Sequence, residues 1–209
     1  MSDLETTRLS LHVVAELLLG GPQYEQSKSI HLRVTPGGFG TVAVPAVRVQ
    51  GESLVVDGRA IPLSGRTVAE VAADAGLTAR SLDDVYSGGS GLTEDYTLTV
   101  DGACAAELAE AFRVGDEALA ELAPDAQRVL WPEHFDLGIT VDRVNYGVSP
   151  GDADIGVPYA YVGPWTTTDL NGSFWNTSFG AARPLSEVDD LLGFFTEGKR
   201  LTDLSGQDT

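Results

Sequence analysis

The feature that most narrows what this chain can fold into is a change of hydrophobic period near residue 29. Upstream of it, Leu4, Leu11, Val14, Ala15 and Leu18 recur at helical spacing behind a Ser2-x-x-Glu5 capping box, and Gly20-Gly21-Pro22 supplies a stop. The spacing predicts a helix over 3–19, with His12 as an ordinary residue inside it. From Ser29 the period becomes two. Ile30, Leu32 and Val34 alternate with His31, Arg33 and Thr35, as in a strand with one buried and one wet face. Pro36-Gly37-Gly38 then turns the chain. The run from Thr41 to Val49 alternates as Val42, Val44 and Ala46 and slips phase around Pro45, which predicts an edge strand or a bulge. Residues 53–56 and 59–63 flank Asp57-Gly58, a pair that tolerates the positive φ of a type I′ turn, and predict a hairpin.

A second capping box, Thr67-x-x-Glu70, opens a short helix whose apolar face is Val68, Val71, Ala72 and Ala75, closed by Gly76. The hairpin followed by GRTVAEVAADAGL resembles the hairpin–helix start of β-grasp sulfur-carrier domains over about 25 residues. Such carriers act through a C-terminal Gly-Gly, whereas this chain ends in Gly206-Gln207-Asp208-Thr209, so no carrier role is expected. Ser87-Gly88-Gly89-Ser90-Gly91 has the composition of a phosphate cradle, but no lysine follows it and Asp83, Asp84, Glu94 and Asp95 would repel a phosphate. A turn is expected there. A strand is predicted at 96–100 and a long helix at 102–123, with Cys104, Leu108, Ala111, Gly115, Leu119 and Leu122 inward. Its Glu107, Glu110, Asp116, Glu117 and Glu121 read as a mostly solvated face. Beyond Pro124, strands are predicted at 137–146 and 158–163, a turn at 149–154, and a last helix at 186–195. These elements give an α+β fold, a mostly antiparallel sheet of about six to eight strands with about four helices. With no repeat, low-complexity stretch or linker, 1–209 is expected to be a single domain.

Charge excludes whole classes of partner. The formal charge is −18, and it is unevenly spread: residues 67–125 hold thirteen acids and two bases, and residues 131–209 hold twelve acids and four bases. Nucleic acid and anionic membrane surfaces would be repelled over most of the chain. No run of about 18 apolar residues and no basic, apolar, small-residue leader is present, so a cytoplasmic location is expected. One cysteine, Cys104, and three histidines leave no disulfide and no Cys/His zinc site to expect.

The candidate site comes from the aromatic residues. Nine of the sixteen, including all three tryptophans, fall between Trp131 and Phe179. Interleaved with Asp, Asn and Thr, such rings suit a small ligand that is part polar and part apolar, because ring faces stack on apolar surfaces while carboxylates and amides hold hydroxyls. The expectation is a pocket formed by 131–176, with Trp131, Tyr159, Tyr161 and Trp165 as walls and Glu133, His134, Asp136 and Asp154 as polar groups. If the site is catalytic, His134 transfers the proton and Asp136 orients it. The Glu-His-x-Asp pattern matches no metal motif, Asp152-x-Asp154 lacks the distal glutamate of a calcium loop, and the residues name no cofactor. The alternative is an interaction module without chemistry, in which the acidic block at 67–125 meets a basic protein surface or the aromatic segment buries a homodimer interface.

Overall fold

The helical rod that opens the chain runs past its glycines. The computed structural model describes residues 2–168 and 170–205; Gly206-Gln207-Asp208-Thr209 lies outside the described residues. Helix α1 (Asp3–Val14) is capped by Ser2, whose hydroxyl accepts the Glu5 N–H at 3.2 Å. It continues through a π-helical stretch, Ala15–Gly20, into α2 (Gly21–Ser27). Pro22 has no N–H to give back to the preceding turn. The wider π spacing absorbs this, with the Gly21 N–H returning to Glu16 O. The Leu17 carbonyl, five residues before Pro22, accepts instead the N–H of Arg80 at 3.1 Å. A Cβ on Gly21 would land on the Arg80 carbonyl, so only glycine lets that segment approach.

The strands are β1 (Leu32–Thr35), β2 (Gly38–Thr41), β3 (Val47–Gln50), β4 (Ser53–Val56), β5 (Arg59–Pro62), β6 (Val129–Trp131), β7 (Asp136–Val141), β8 (Val144–Ser149), β9 (Tyr159–Pro164) and β10 (Ala181–Pro184). They form one antiparallel sheet in the order β10-β9-β8-β7-β6-β1-β2-β3-β4-β5. With the opening rod, α3 (Val68–Ala75), α4 (Gly102–Leu122) and α5 (Leu191–Ser205), this is the α+β class expected, with ten strands where six to eight were expected. The chain divides into two compact units, Met1–Arg113 with Val129–Asp136, and Val114–Arg128 with Leu137–Thr209.

In the first unit the buried side of the rod is polar as well as apolar, and its polar groups stitch the loops. Gln23, fully buried, makes four bonds: its amide nitrogen donates to the Ser29 and His31 carbonyls, and its oxygen accepts from the Val42 and Ala43 N–H groups. Thr7 and Ser10 accept the N–H groups of Asp101 and Thr99 at 3.0 and 2.9 Å. These bonds explain why 96–100 is not a strand. Its backbone is satisfied by α1 hydroxyls, by the Ser64 hydroxyl and by one isolated antiparallel bridge, Thr67 to Thr97, with bonds between Leu98 and residues 65–66 and from Val68 N–H to Tyr96 O, so the pairing stops short of a ladder. The run expected as one strand at 41–49 is two, broken at 42–46 around Pro45, where the phase slips. The Asp57-Gly58 hairpin and the Thr67/Glu70 capping box both form as read.

In the second unit β7 and β8 replace the single strand expected at 137–146. They are joined at Asp142-Arg143, where both residues take positive φ (51° and 64°) without a glycine. One sheet face packs on helices. A Cβ on Gly115 of α4 would come within 2.8 Å of Val148, and one on Gly198 of α5 within 2.8 Å of Val162. Tyr146 sits edge-on to Phe195 at 6.2 Å. The final helix begins later than expected, because the Asp190 carboxylate takes the Gly193 N–H at 2.8 Å and starts the first turn there.

Candidate functional site

Strand register sorts the C-terminal aromatics by face. Leu137, Val148 and Ala160 stand in one cross-strand row, as do Ile139, Tyr146 and Val162, and these rows form the buried side. The opposite side carries Gly138, Gly147 and Tyr161 in one row and Thr140, Asn145 and Gly163 in the next. The Tyr161 ring lies across the glycines: a Cβ on Gly138 would come within 2.9 Å of its hydroxyl, and one on Gly147 would land on the ring itself. The two glycines thus form the seat of a half-buried tyrosine.

Beside that seat, Asn145 is the hub. Its oxygen accepts the Thr140 hydroxyl at 2.8 Å and the Trp165 indole N–H at 3.3 Å. The indole is thereby oriented while 66% of Trp165 stays exposed. Phe179, also exposed, passes near Gly163. The result is a solvent-facing sheet surface of aromatic planes with a hydroxyl and an amide between them, the oxygen of that amide already doubly engaged.

The other expected site residues fall as follows. Tyr159 shares the side of Tyr161, with ring centroids 6.4 Å apart, but it is buried and donates its hydroxyl to Asp152 at 2.6 Å. The same Asp152 side chain accepts the Asp154 and Ile155 N–H groups, both at 2.8 Å, so the partner of Tyr159 is Asp152, while Asp154 is an exposed turn residue. Trp131, Glu133, His134 and Asp136 belong to the first unit. Trp131 is half-buried and edge-on to His31 at 4.8 Å. The His134 side chain is 65% exposed and meets Glu133 at 3.8 Å, and Asp136 opens β7 half-buried. Among the described residues no group of three or more His, Cys, Asp or Glu could hold a metal ion.

Sequence reading passed over a second polar cluster, in the first unit. Glu16, in the π-helical stretch, is 5% exposed. Its carboxylate accepts the Tyr86 hydroxyl at 3.1 Å and the Ser90 N–H at 2.9 Å, and His12 lies 3.8 Å away on the same helix. His12 Nε2 meets the Pro132 carbonyl at 2.8 Å; a carbonyl only accepts, so this nitrogen carries the proton. The ring stacks on Phe135 at 5.5 Å. Burial holds the His12 pKa below its ordinary value, against the upward pull of Glu16 and of the Pro132 and Glu133 backbone; His134 adds a small downward push. Burial and then Glu16 push the Tyr86 phenol far up, so it stays a neutral donor. The glycine-rich run 87–91 does bind an anion through a backbone N–H, and that anion is the chain's own Glu16 carboxylate. The sequence clue was a lone glutamate among Leu17, Leu18 and Leu19.

A scan against protein-family models and searches of curated proteins and of solved structures each give no match. No helix among the described residues is long and apolar enough to cross a membrane.

Proposed function

We propose that the protein binds a small uncharged molecule with one apolar face and several hydroxyls, such as a sugar ring, on the open sheet surface of its second unit. The observation that carries this reading is the exposed Trp165 indole held by Asn145, beside Tyr161 on its two-glycine seat. Orienting an aromatic plane in advance lowers the entropy lost on stacking. With its oxygen occupied by Thr140 and Trp165, Asn145 offers its two N–H donors to a ligand hydroxyl. The acidic excess of 137–209, ten acids against four bases, selects against anionic ligands. The reading rests on the second unit alone and asks for binding, not turnover.

The test is a thermal-shift screen of neutral mono- and disaccharides, followed by calorimetric titration of any hit. The reading expects stabilisation by at least one sugar, lost in Trp165→Ala and weakened in Asn145→Ala. A hit that survives Trp165→Ala, or no hit across the panel, overturns it. A second reading, capture of a basic protein, has its own support in the exposed Glu107, Glu110, Glu117 and Glu121 along α4. It expects binding of a basic partner that fades as salt rises and does not respond to Trp165→Ala.

A further inference from the structure

One edge of the sheet is closed by a side chain instead of by another strand. β10 stands last in the strand order and pairs with β9 on one side only. Ladder alternation turns the N–H and C=O of Ala182 to its outer side. There the Asn176 carboxamide meets both: its oxygen accepts the Ala182 N–H at 2.9 Å, and its nitrogen donates to the Ala182 carbonyl at 2.9 Å. A residue of a neighbouring antiparallel strand would make the same two bonds with its backbone. Two residues earlier Gly180 is taken as well, its N–H by the Thr177 carbonyl and its carbonyl by the Asn176 and Thr177 N–H groups. Two residues later Pro184 has no N–H to offer. Arg183 fastens the covering segment by donating to the Ser173 and Phe174 carbonyls at 3.4 and 3.1 Å, and the Phe174 ring packs on Phe194 of α5 with centroids 5.2 Å apart. Ala182 is left 2% exposed.

We propose that residues 173–177 stand in for a missing strand, and that the partner they keep out is β10 of a second copy of this chain. The strand suits itself as a partner. In an antiparallel pair centred on Ala182, the two Ala182 residues exchange both of the bonds now held by Asn176, and each Arg183 faces an Ala181, so no like charges meet. An uncovered edge with free N–H and C=O groups is a template for such pairing, and a two-fold arrangement closes on itself as a dimer. The opposite edge, β5, carries a charge and a proline of its own, with Arg59 and Pro62 both exposed.

The test combines sedimentation velocity with hydrogen exchange read by mass spectrometry, on the full chain across a concentration series. Asn176→Ala with Arg183→Gln removes the carboxamide and the guanidinium bonds to Ser173 and Phe174. In the dilute variant, exchange across 174–184 rises about tenfold or more over wild type. As concentration rises its mass doubles relative to wild type, and protection of 180–184 returns. Because each copy carries a charge of −18, the association strengthens with salt. Adding Ala182→Pro deletes the central N–H of the pairing, which points away from β9, and returns the mass to that of wild type. The proposal fails if exchange across 174–184 does not rise, if the freed segment brings no gain in mass, or if that gain fades with salt or survives Ala182→Pro. Should the double variant not fold, Asn176→Ala alone decides by the same two readouts.

Discussion

Glu16 shows how much one residue can depend on chain far away in sequence: its donors Tyr86 and Ser90 lie 70 and 74 positions downstream, and the acceptor of His12 lies 120 downstream. No local pattern encodes such pairings, which is why His12 reads as an ordinary helix residue from the sequence. The depressed His12 pKa has a definite sign. The unfolded chain takes up a proton near pH 6.5, the ordinary value, while the folded chain takes it up only at lower pH. Stability therefore holds above that value and falls as pH drops through the window beneath it. Urea unfolding at pH 7.5 and pH 5.5 should show a loss in wild type that is smaller in His12→Asn; equal losses would refute the assignment. On the second unit, Gly147→Ala drives a methyl into the Tyr161 ring and should cost about 1–3 kcal/mol. Most of that cost should vanish when Tyr161 is also reduced to alanine, as a double-mutant cycle by denaturant unfolding would reveal.

Elements differ in how openly they declare themselves. The capping box at Thr67 and Glu70 and the turn at Asp57-Gly58 are local chemistry, and both form as their residues predict. The hairpin at Asp142-Arg143 is hidden, because two non-glycine residues hold positive φ and the cross-strand ladder supplies what a glycine would. The opening rod is hidden for another reason: Gly20-Gly21-Pro22 is a sound stop signal, overruled when Arg80 takes the carbonyl that Pro22 leaves without a donor. Two substitutions test these elements. Thr67→Ala should lower stability by about 1 kcal/mol through loss of the cap. At Gly21, helix propensity alone favours alanine by about 1 kcal/mol. The clash with the Arg80 carbonyl, a backbone atom with little room to give, should exceed that gain, so Gly21→Ala lowers the melting temperature.

Across the whole molecule the governing electrostatic fact is a charge of −18, most of it beyond residue 66. The arginines that pair take several acids each in places, as Arg80 does with Glu25 and Asp84, yet thirteen basic residues cannot offset thirty-one acids. Self-repulsion on this scale destabilises the compact state and is screened by salt. Raising ionic strength from about 0.01 M to about 0.15 M, which shortens the screening length from about 30 Å to about 8 Å, should raise the melting temperature. A melting temperature that falls over that range would mean that attractive ion pairs outweigh the repulsion.

Readable from the residues alone were the α+β class, the antiparallel habit of the strands, several caps and tight turns, and the net charge of −18. All of these rest on period, short-range turn chemistry and summed charge, which act within a few residues or do not depend on arrangement at all. Tertiary structure alone decided which rings face solvent, which carboxylate takes the Tyr159 hydroxyl, and that a leucine-flanked glutamate would be buried under a glycine loop. Those outcomes depend on strand register and on donors brought from distant chain, and register becomes definite only once neighbouring strands have paired.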